Sequence, residues 1–352
     1  MATKSKLVFF EKWVSPVAER MLKPQSNIDL IMLKYSRPEA ENWSELATAH
    51  GYQVQARTEL KAPWFGNGEL LKRCPGLVAL SSTGAGHDVI DVGACDAAGV
   101  IVVNQSGSNR EAVAQHTLGL MICLSKKISL ADRMMRRSSV PAERYALAGN
   151  DLTNRTVGIV GIGHIGTRVA ELCGGLFGMT VLAYDPFLSS DQIAARGAKK
   201  TNLVELLERS DFVTLHCPRS AETLDMFGTE EFKLMKRSAF FINTARGGIH
   251  NEEELAQAIA RAYIAGAGID VFLQEPTPYD HPLLQFDNVV VTPHNAGITH
   301  EALEMMASSA ASQWIDVFSG KVPPRLVNPQ AWSRYSARFK EIFGSTPAQL
   351  PQ

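Results

Sequence analysis

The sequence predicts an α/β protein of two domains, each a doubly wound parallel sheet covered by helices. Three observations carry this expectation. Short apolar or β-rich runs alternate with helix-like stretches, the pattern of βαβ units. The runs beyond residue 156 are almost continuously apolar, as strands buried on both faces are. One strand-to-helix turn carries three glycines, Gly161, Gly163 and Gly166.

Taken in order, 6–10 (KLVFF), 28–34 (NIDLIML), 52–56 (YQVQA) and 77–81 (LVALS) read as strands of the first domain. Helix-like stretches separate them, such as 38–50, where Pro38 suits a first helical turn. Val100–Val103 is a further strand, followed by a helix over 109–128 with Ala112, Leu118, Met121 and Ile122 at helical spacing. The second series is 156–160, 180–184, 211–216, 239–243, 264–270 and 288–292. A helix at 300–318 follows, and the Pro- and Gly-rich "GKVPPRLVNPQAW" cannot continue it. Residues 331–352 read as a loosely held tail.

Composition narrows the function. The 352 residues are 45% hydrophobic and 20% charged, enough for real cores. With 35 basic and 36 acidic residues the net charge is -1, so nothing recruits nucleic acid or a membrane surface. The five cysteines lack CxxC or Cys/His spacing, and an odd count suits a reducing compartment; neither a metal site nor a disulfide framework is expected. "MATKSKLVFFEKW" has no continuous apolar signal core, and no run reaches the ~18 apolar residues of a membrane span. A cytoplasmic protein is expected.

Context decides the glycines, because a lone GxGxxG is a weak signal. "GIGHIG" leaves an apolar strand at Val157–Val160 and enters a helix near His164, and Asp185 ends the next strand 19 residues after Gly166. Gly161 suits the tight turn, Gly163 lets a pyrophosphate approach backbone, and Gly166 lets helix pack on strand. Helix N-terminal amides would meet the phosphates. Asp185 can accept hydrogen bonds from a ribose diol and repels a 2′-phosphate, which favours NAD over NADP. A methyltransferase with the same nucleotide geometry is the competing reading here.

Three downstream strand ends carry side chains suited to hydride transfer. Arg246 in "FINTARGGIHNEEEL" offers a planar fork for a carboxylate. Asp270 closes a strand in "AGAGIDVFLQEP", with Glu275 beyond it, and His294 follows the last strand in "VVVTPHNAGITHE". An anion clamp, a carboxylate and an imidazole thus gather at the carboxyl edge of one sheet, where ligands of open α/β folds bind.

At this point "AVAQHTLGLM", "GIVGIGHIGTRVA", "YDPF", "LHCP", "INTARGG", "GIDVFLQEP" and "VVVTPHNAG" together resemble the ordered signatures of the D-isomer-specific 2-hydroxyacid dehydrogenases, the group of D-3-phosphoglycerate dehydrogenase and hydroxypyruvate/glyoxylate reductases. The resemblance is firm over about 75–330 and a matter of pattern before that. It implies an NAD-dependent oxidoreductase interconverting a D-2-hydroxy acid and its 2-oxo acid. By it Arg246 orients the substrate carboxylate, His294 is the acid/base, and Glu275 bonds to His294 and sets its tautomer. It also implies cofactor contacts from Gly161, Gly163, His164, Ile165, Gly166 and Asp185, from Cys217 and Pro218 beside the adenosine, and from Thr244, Ala245, Asp270 and Gly297 towards the nicotinamide. The turn Ser82, Thr83, Gly84, Ala85, Gly86 resembles the family's substrate loop, with hydroxyls and amides available to a carboxylate.

The resemblance further implies that a Rossmann-like nucleotide domain at 105–297 interrupts a discontinuous substrate domain, 1–104 plus 298–330, and that the helix from Asn109 forms a homodimer. Gln115 departs from the acidic residue common in relatives. Ser82 stands where phosphoglycerate-oxidising relatives carry a basic residue, which favours an unphosphorylated substrate. Arg57, Lys61 or Lys72 are the cations that could replace it, while Trp64 and Phe65 are expected either near the pocket mouth or packed, with their loop, onto the substrate domain. The alternatives are D-3-phosphoglycerate dehydrogenase proper, or an NAD(H)-sensing corepressor or scaffold on the same fold.

Overall fold

The computed structural model describes residues 4–141 and 143–351, and it divides into two units. The first comprises 1–109 and 299–352; the second, 110–298, interrupts it.

The first unit holds β1 (Ser5–Phe10), β2 (Ile28–Leu33), β3 (Gly51–Val54), β4 (Ala79–Ser82) and β5 (Ile101–Val103) in one sheet ordered β2-β1-β3-β4-β5, all pairs parallel. One face packs around Trp43, Trp64, Tyr52 and Phe10. The other packs on the helix His300–Phe318 through Trp314, Ala310 and Phe318. Gly51 is needed there: a Cβ would lie 2.5 Å from the Trp314 ring.

The segment 331–352 corrects the expected tail. Trp332–Phe343 is a helix whose Trp332, Tyr335 and Phe339 are buried against Leu7, Ile28 and Trp314, and Gly344 caps it at φ 71°. The spacing of those three aromatics at i, i+3, i+7 is a helical apolar stripe. The proline-rich stretch before it had masked the signal.

The second unit holds β6 (Thr156–Val160), β7 (Thr180–Tyr184), β8 (Lys199–Lys200), β9 (Phe212–Leu215), β10 (Phe240–Asn243), β11 (Gly266–Ile269) and β12 (Val289–Val291). Their order is β12-β11-β10-β9-β6-β7-β8, again all parallel. Strand order reverses between β6 and β9, which makes that seam the topological switch point. The helix Arg110–Ser125 is largely buried on one face of this sheet, with Ala114, Leu118 and Met121 in its core. The other face is covered through Phe227, Phe232, Phe241 and Leu255.

Candidate active site

Each glycine of the turn after β6 has a distinct steric reason. Gly161 adopts φ +85°, and a Cβ there would lie 2.7 Å from the Cys217 amide nitrogen, across the switch-point seam. A Cβ on Gly166 would meet the Gly161 carbonyl oxygen at 2.3 Å, so helix and turn touch backbone to backbone. A Cβ on Gly163 would meet nothing within 4 Å. Gly163 therefore keeps open a space that no packing demands, as a turn that cradles phosphates requires.

The helix His164–Phe177 starts at this space. Its first ladder bond runs from Thr167 N to Gly163 O (3.0 Å), leaving the amides of His164, Ile165 and Gly166 ahead of the ladder and available to an anion. Asp185 follows β7; its Oδ2 accepts from the Ile162 amide (3.2 Å) and its Oδ1 from that of Phe187 (3.1 Å). Those bonds brace the carboxylate beside the turn and leave further lone pairs for a ribose diol. Cys217 and Pro218 follow β9. Burial and the Asp185 charge push the Cys217 thiol up to about 11, so it is a neutral wall rather than a nucleophile. These residues fit a dinucleotide.

At the next strand ends the catalytic candidates come together. His294 Nδ1 lies 2.8 Å from Glu275 Oε2, and Glu275 Oε1 accepts from the Phe272 amide (3.1 Å). His294 sits at φ 55° and is pinned through its own amide, which donates to the Asp270 carbonyl (2.7 Å). Burial pushes the Glu275 carboxyl upward, but the hydrogen bond and field of His294, the Phe272 amide and the Arg246 charge outweigh it and leave the carboxyl below its ordinary range. Glu275 is thus a carboxylate, and the guanidinium of Arg246 is near enough to act on it. Arg246 Nη1 also donates to the Ala245 carbonyl (2.7 Å).

Asp270 is almost fully buried and acts on this loop rather than opening to solvent. Its Oδ1 accepts from Thr292 Oγ1 (2.6 Å) and the Asn295 amide (2.9 Å), and its Oδ2 from the Ala296 amide (3.1 Å). His116 Nε2 lies 3.0 Å from Thr292 Oγ1 and 3.8 Å from Asp270 Oδ1. Thr244 is tied to Thr117 through their hydroxyls (3.0 Å). Sequence reasoning missed His116, Thr117 and Thr292, although "AQHT" and "VVVTPH" contain them. A second pair, Glu252 with His281 (2.9 Å), was also missed; Glu252 Oε1 accepts from the Leu273 amide (2.6 Å) and steadies the Glu275 loop. Gly297 follows the Ala296 anchor, half-buried.

In the first unit, the turn Ser82–Gly86 is held from inside. Ser82 Oγ donates to Gly84 O (2.8 Å) and Thr83 Oγ1 to Val54 O (2.9 Å), so neither hydroxyl hydrogen is left for a carboxylate. Asn104 Nδ2 and the Gln105 amide hold the carbonyls of Ala85 and Gly84 (both 2.9 Å). What remains on offer is the amides of Gly84, Ala85 and Gly86, which meet no acceptor among the described residues.

For Trp64 the packing alternative holds: it is buried against Trp43 and Phe10, with ring centroids 4.6 and 5.0 Å away, and belongs to the core. Phe65 packs partly buried on the same cluster. Lys61 lies over the Tyr35 ring at 4.9 Å, while Arg57 and Lys72 are exposed. Gln115 faces outward and donates to Glu111, which pairs with Arg168. Among the described residues there is no cluster of three metal-ligating side chains, and no helix is long and apolar enough to cross a membrane.

Comparison with known proteins gives the family. The family described as D-isomer specific 2-hydroxyacid dehydrogenase, NAD binding domain, matches residues 118–296. A glyoxylate reductase of Korarchaeum cryptofilum is 39% identical over 264 residues, covering 74% of this chain and 79% of that protein. A D-3-phosphoglycerate dehydrogenase of Archaeoglobus fulgidus is 37% identical over 275 residues, and this chain spans 50% of its length. The structure of D-lactate dehydrogenase from Aquifex aeolicus, complexed with NAD and lactic acid, superposes with a TM-score of 0.75 at 28% identity, covering 91% of this chain and 98% of that one. A dinucleotide turn braced by Asp185, an imidazole–carboxylate pair at the same sheet edge and a family match over half the chain lead to one conclusion: this protein belongs to the D-isomer-specific 2-hydroxyacid dehydrogenases, and its cofactor is NAD.

Proposed function

We propose that the protein interconverts a small, unphosphorylated D-2-hydroxy acid and its 2-oxo acid, with Arg246 gripping the carboxylate and His294 with Glu275 handling the proton. The observation that carries this reading is the 2.8 Å bond from His294 Nδ1 to a carboxylate that the Arg246 charge also holds ionised. Glu275 accepts the Nδ1 hydrogen, so Nε2 of the neutral ring presents a lone pair. NAD supplies the acceptor for the C2 hydride in oxidation and, reduced, its donor. In oxidation His294 Nε2 takes the hydroxyl proton as the C2–H bond breaks; in reduction the imidazolium returns that proton to the carbonyl oxygen. Arg246 fixes the carboxylate so that C2 is aimed.

The pyrophosphate falls to His164 and Ile165 at the glycine turn and the ribose to Asp185. Cys217 and Pro218 flank the adenosine, and Thr244, Ala245, Asp270 and Gly297 serve the nicotinamide side, Asp270 by anchoring the His294 loop. Two observations support an unphosphorylated acid: Ser82, standing where a basic residue would pair with a phosphate, turns inward, and Lys61 lies over the Tyr35 ring. Reduction of glyoxylate, hydroxypyruvate and 3-phosphohydroxypyruvate with NADH, side by side at one pH and salt, tests this. We expect the highest kcat/KM with an unphosphorylated acid; a clear preference for the phosphorylated one overturns the reading.

The helix after Asn109, from which a homodimer was expected, is largely buried within its own unit, and what supports a homodimer is instead the helix Ile128–Arg136, which buries no residue and exposes Ile128 and Met135. Light scattering on the eluting protein at two concentrations tests it. A reducing, cytoplasmic location is supported by five free cysteines, with the thiols of Cys74, Cys95 and Cys173 pushed by burial to about 11, 12 and 12. Localisation of the tagged protein in cells checks that assignment.

A further inference from the structure

Behind Arg246 lies a buried imidazole that the chemistry above does not use. His250 is 1% exposed, and its ring meets that of Phe241 edge-on at 5.4 Å. Its Nδ1 lies 3.0 Å from Nδ2 of Asn243, the last residue of β10. Asn243, fully buried, closes the turn that carries Arg246: its Oδ1 accepts from the Ala245 amide (2.9 Å) and its Nδ2 donates to the Arg246 carbonyl (2.8 Å).

The orientation of that side-chain amide follows from its partners. A backbone N–H only donates, so the oxygen of Asn243 faces Ala245 and the nitrogen faces both Arg246 O and His250. One amide hydrogen goes to Arg246 O and the other to His250. Nδ1 of His250 therefore carries a lone pair, and the ring hydrogen sits on Nε2. That Nε2 is buried and has no hydrogen-bond partner among the described residues. An orphaned buried N–H costs stability that an apolar side chain would not. A position chosen for packing alone has no reason to bear it.

We propose that His250 is a positioning residue for Arg246: its unprotonated Nδ1 holds the Asn243 amide in the one orientation that ties Ala245 N to Arg246 O, and so aims the guanidinium. Downstream the turn is already boxed in, because a Cβ on Gly247 would lie 2.0 Å from the Phe272 carbonyl. Upstream, Asn243 is the fixed point. Without an acceptor at 250, the second amide hydrogen is stranded, the amide tilts to find a partner, and the Arg246 carbonyl is released. This inference rests on reading Arg246 as the carboxylate clamp.

The test compares full-length His250→Leu and His250→Gln, of similar size, of which only glutamine offers an acceptor. With saturating NADH and glyoxylate as variable substrate, His250→Leu should raise KM roughly tenfold, since a small misplacement of a binding group weakens productive alignment. Its NADH affinity should stay within about twofold, and His250→Gln should recover most of the KM. Equal KM for both variants, with only a lower Tm, shows a packing role and overturns the proposal. Arg246→Lys, run alongside, separates the two claims. If it raises KM while His250→Leu does not, positioning fails and the clamp stands; if neither moves KM, the clamp itself fails. Selective 15N-histidine labelling of the unsubstituted protein gives a readout independent of variant folding: the assigned His250 ring should carry its hydrogen on Nε2, and an Nδ1–H ring overturns the proposal.

Discussion

The two units build the same parallel β–α–β layout and use its carboxyl edge in opposite ways. In the second unit, the switch point between β6 and β9 is kept clear by Gly161, Gly163 and Gly166, with open space above Gly163. In the first, the chain reverses between β1 and β3, and the corresponding edge is filled. Phe9 and Trp13 pack there at 5.5 Å between ring centroids, and Phe9, Phe10, Trp13, Thr83 and Met306 line a cavity of only about 10 Å³. Glu11, not glycine, takes the left-handed φ of 56° after β1, and its side chain accepts from the Tyr35 amide (2.7 Å). A doubly wound sheet therefore does not create a nucleotide site. Removing side chains from the strand-to-helix turn does, and aromatic side chains at the same place close it.

The largest way to sharpen this contrast is to remove the imidazole that works at the open edge. His294→Asn suits the left-handed backbone at that position and should lower kcat by about 10² to 10⁴, the range for a positioned general acid, with NADH binding retained. Near-full kcat in the variant would place the proton transfer elsewhere. At the closed edge, Trp13→Ala should cost about 3 to 5 kcal/mol of stability in the first unit by leaving a cavity. NADH affinity should not change, and titration of the folded variant checks that; a new or lost NADH site would break the contrast.

Acid should separate the units next. Burial holds His216 and His250, both in the second unit, neutral down to about 3. Between the ordinary histidine value near 6.5 and that limit, the unfolded chain binds a proton at each ring that the folded chain does not, so stability falls as pH falls. At pH 5 the loss is about 2 kcal/mol per ring. In the first unit the half-buried His50 is lowered, by burial and then by Lys6. Hydrogen exchange at pH 7 and 5 should show amides of the second unit losing protection first, and the reverse order would contradict the assignment. The smallest effect is on cofactor choice. Asp185→Ala should narrow an NADH-over-NADPH preference by roughly tenfold, by removing the charge that repels a 2′-phosphate. Equal use of both cofactors by the unsubstituted protein would leave Asp185 without that role.

How much of this was legible beforehand depended on the range of the interaction. Apolar runs marked β1 to β7 and β9 to β12 within a few residues, because a strand buried on both faces excludes polar side chains locally. The two-residue β8 carries no such run: Lys199 and Lys200 are strand by pairing with Leu182 and Ala183 alone. Whether Trp64 in "KAPWFGNG" lines a pocket mouth or packs in the core is not legible locally, since its neighbours Trp43 and Phe10 lie far away along the chain. The serine hydroxyl at 82 was expected to face substrate and instead closes its own turn.

By itself, then, the sequence determined what neighbours along the chain decide: the alternation of strands and helices, the left-handed glycine turn, the acid at the tip of β7, and the presence of Arg246, Glu275 and His294 at strand ends. Tertiary structure alone decided which of these meet. Only the folded sheet brings Glu275 to 2.8 Å from His294, hangs the His294 loop on Asp270, buries the helix Trp332–Phe343, and sets His250 against Asn243. The physical reason is that strand polarity and glycine φ are local steric properties, whereas a hydrogen bond between distant residues exists only after the core has fixed both backbones within about 3 Å of each other.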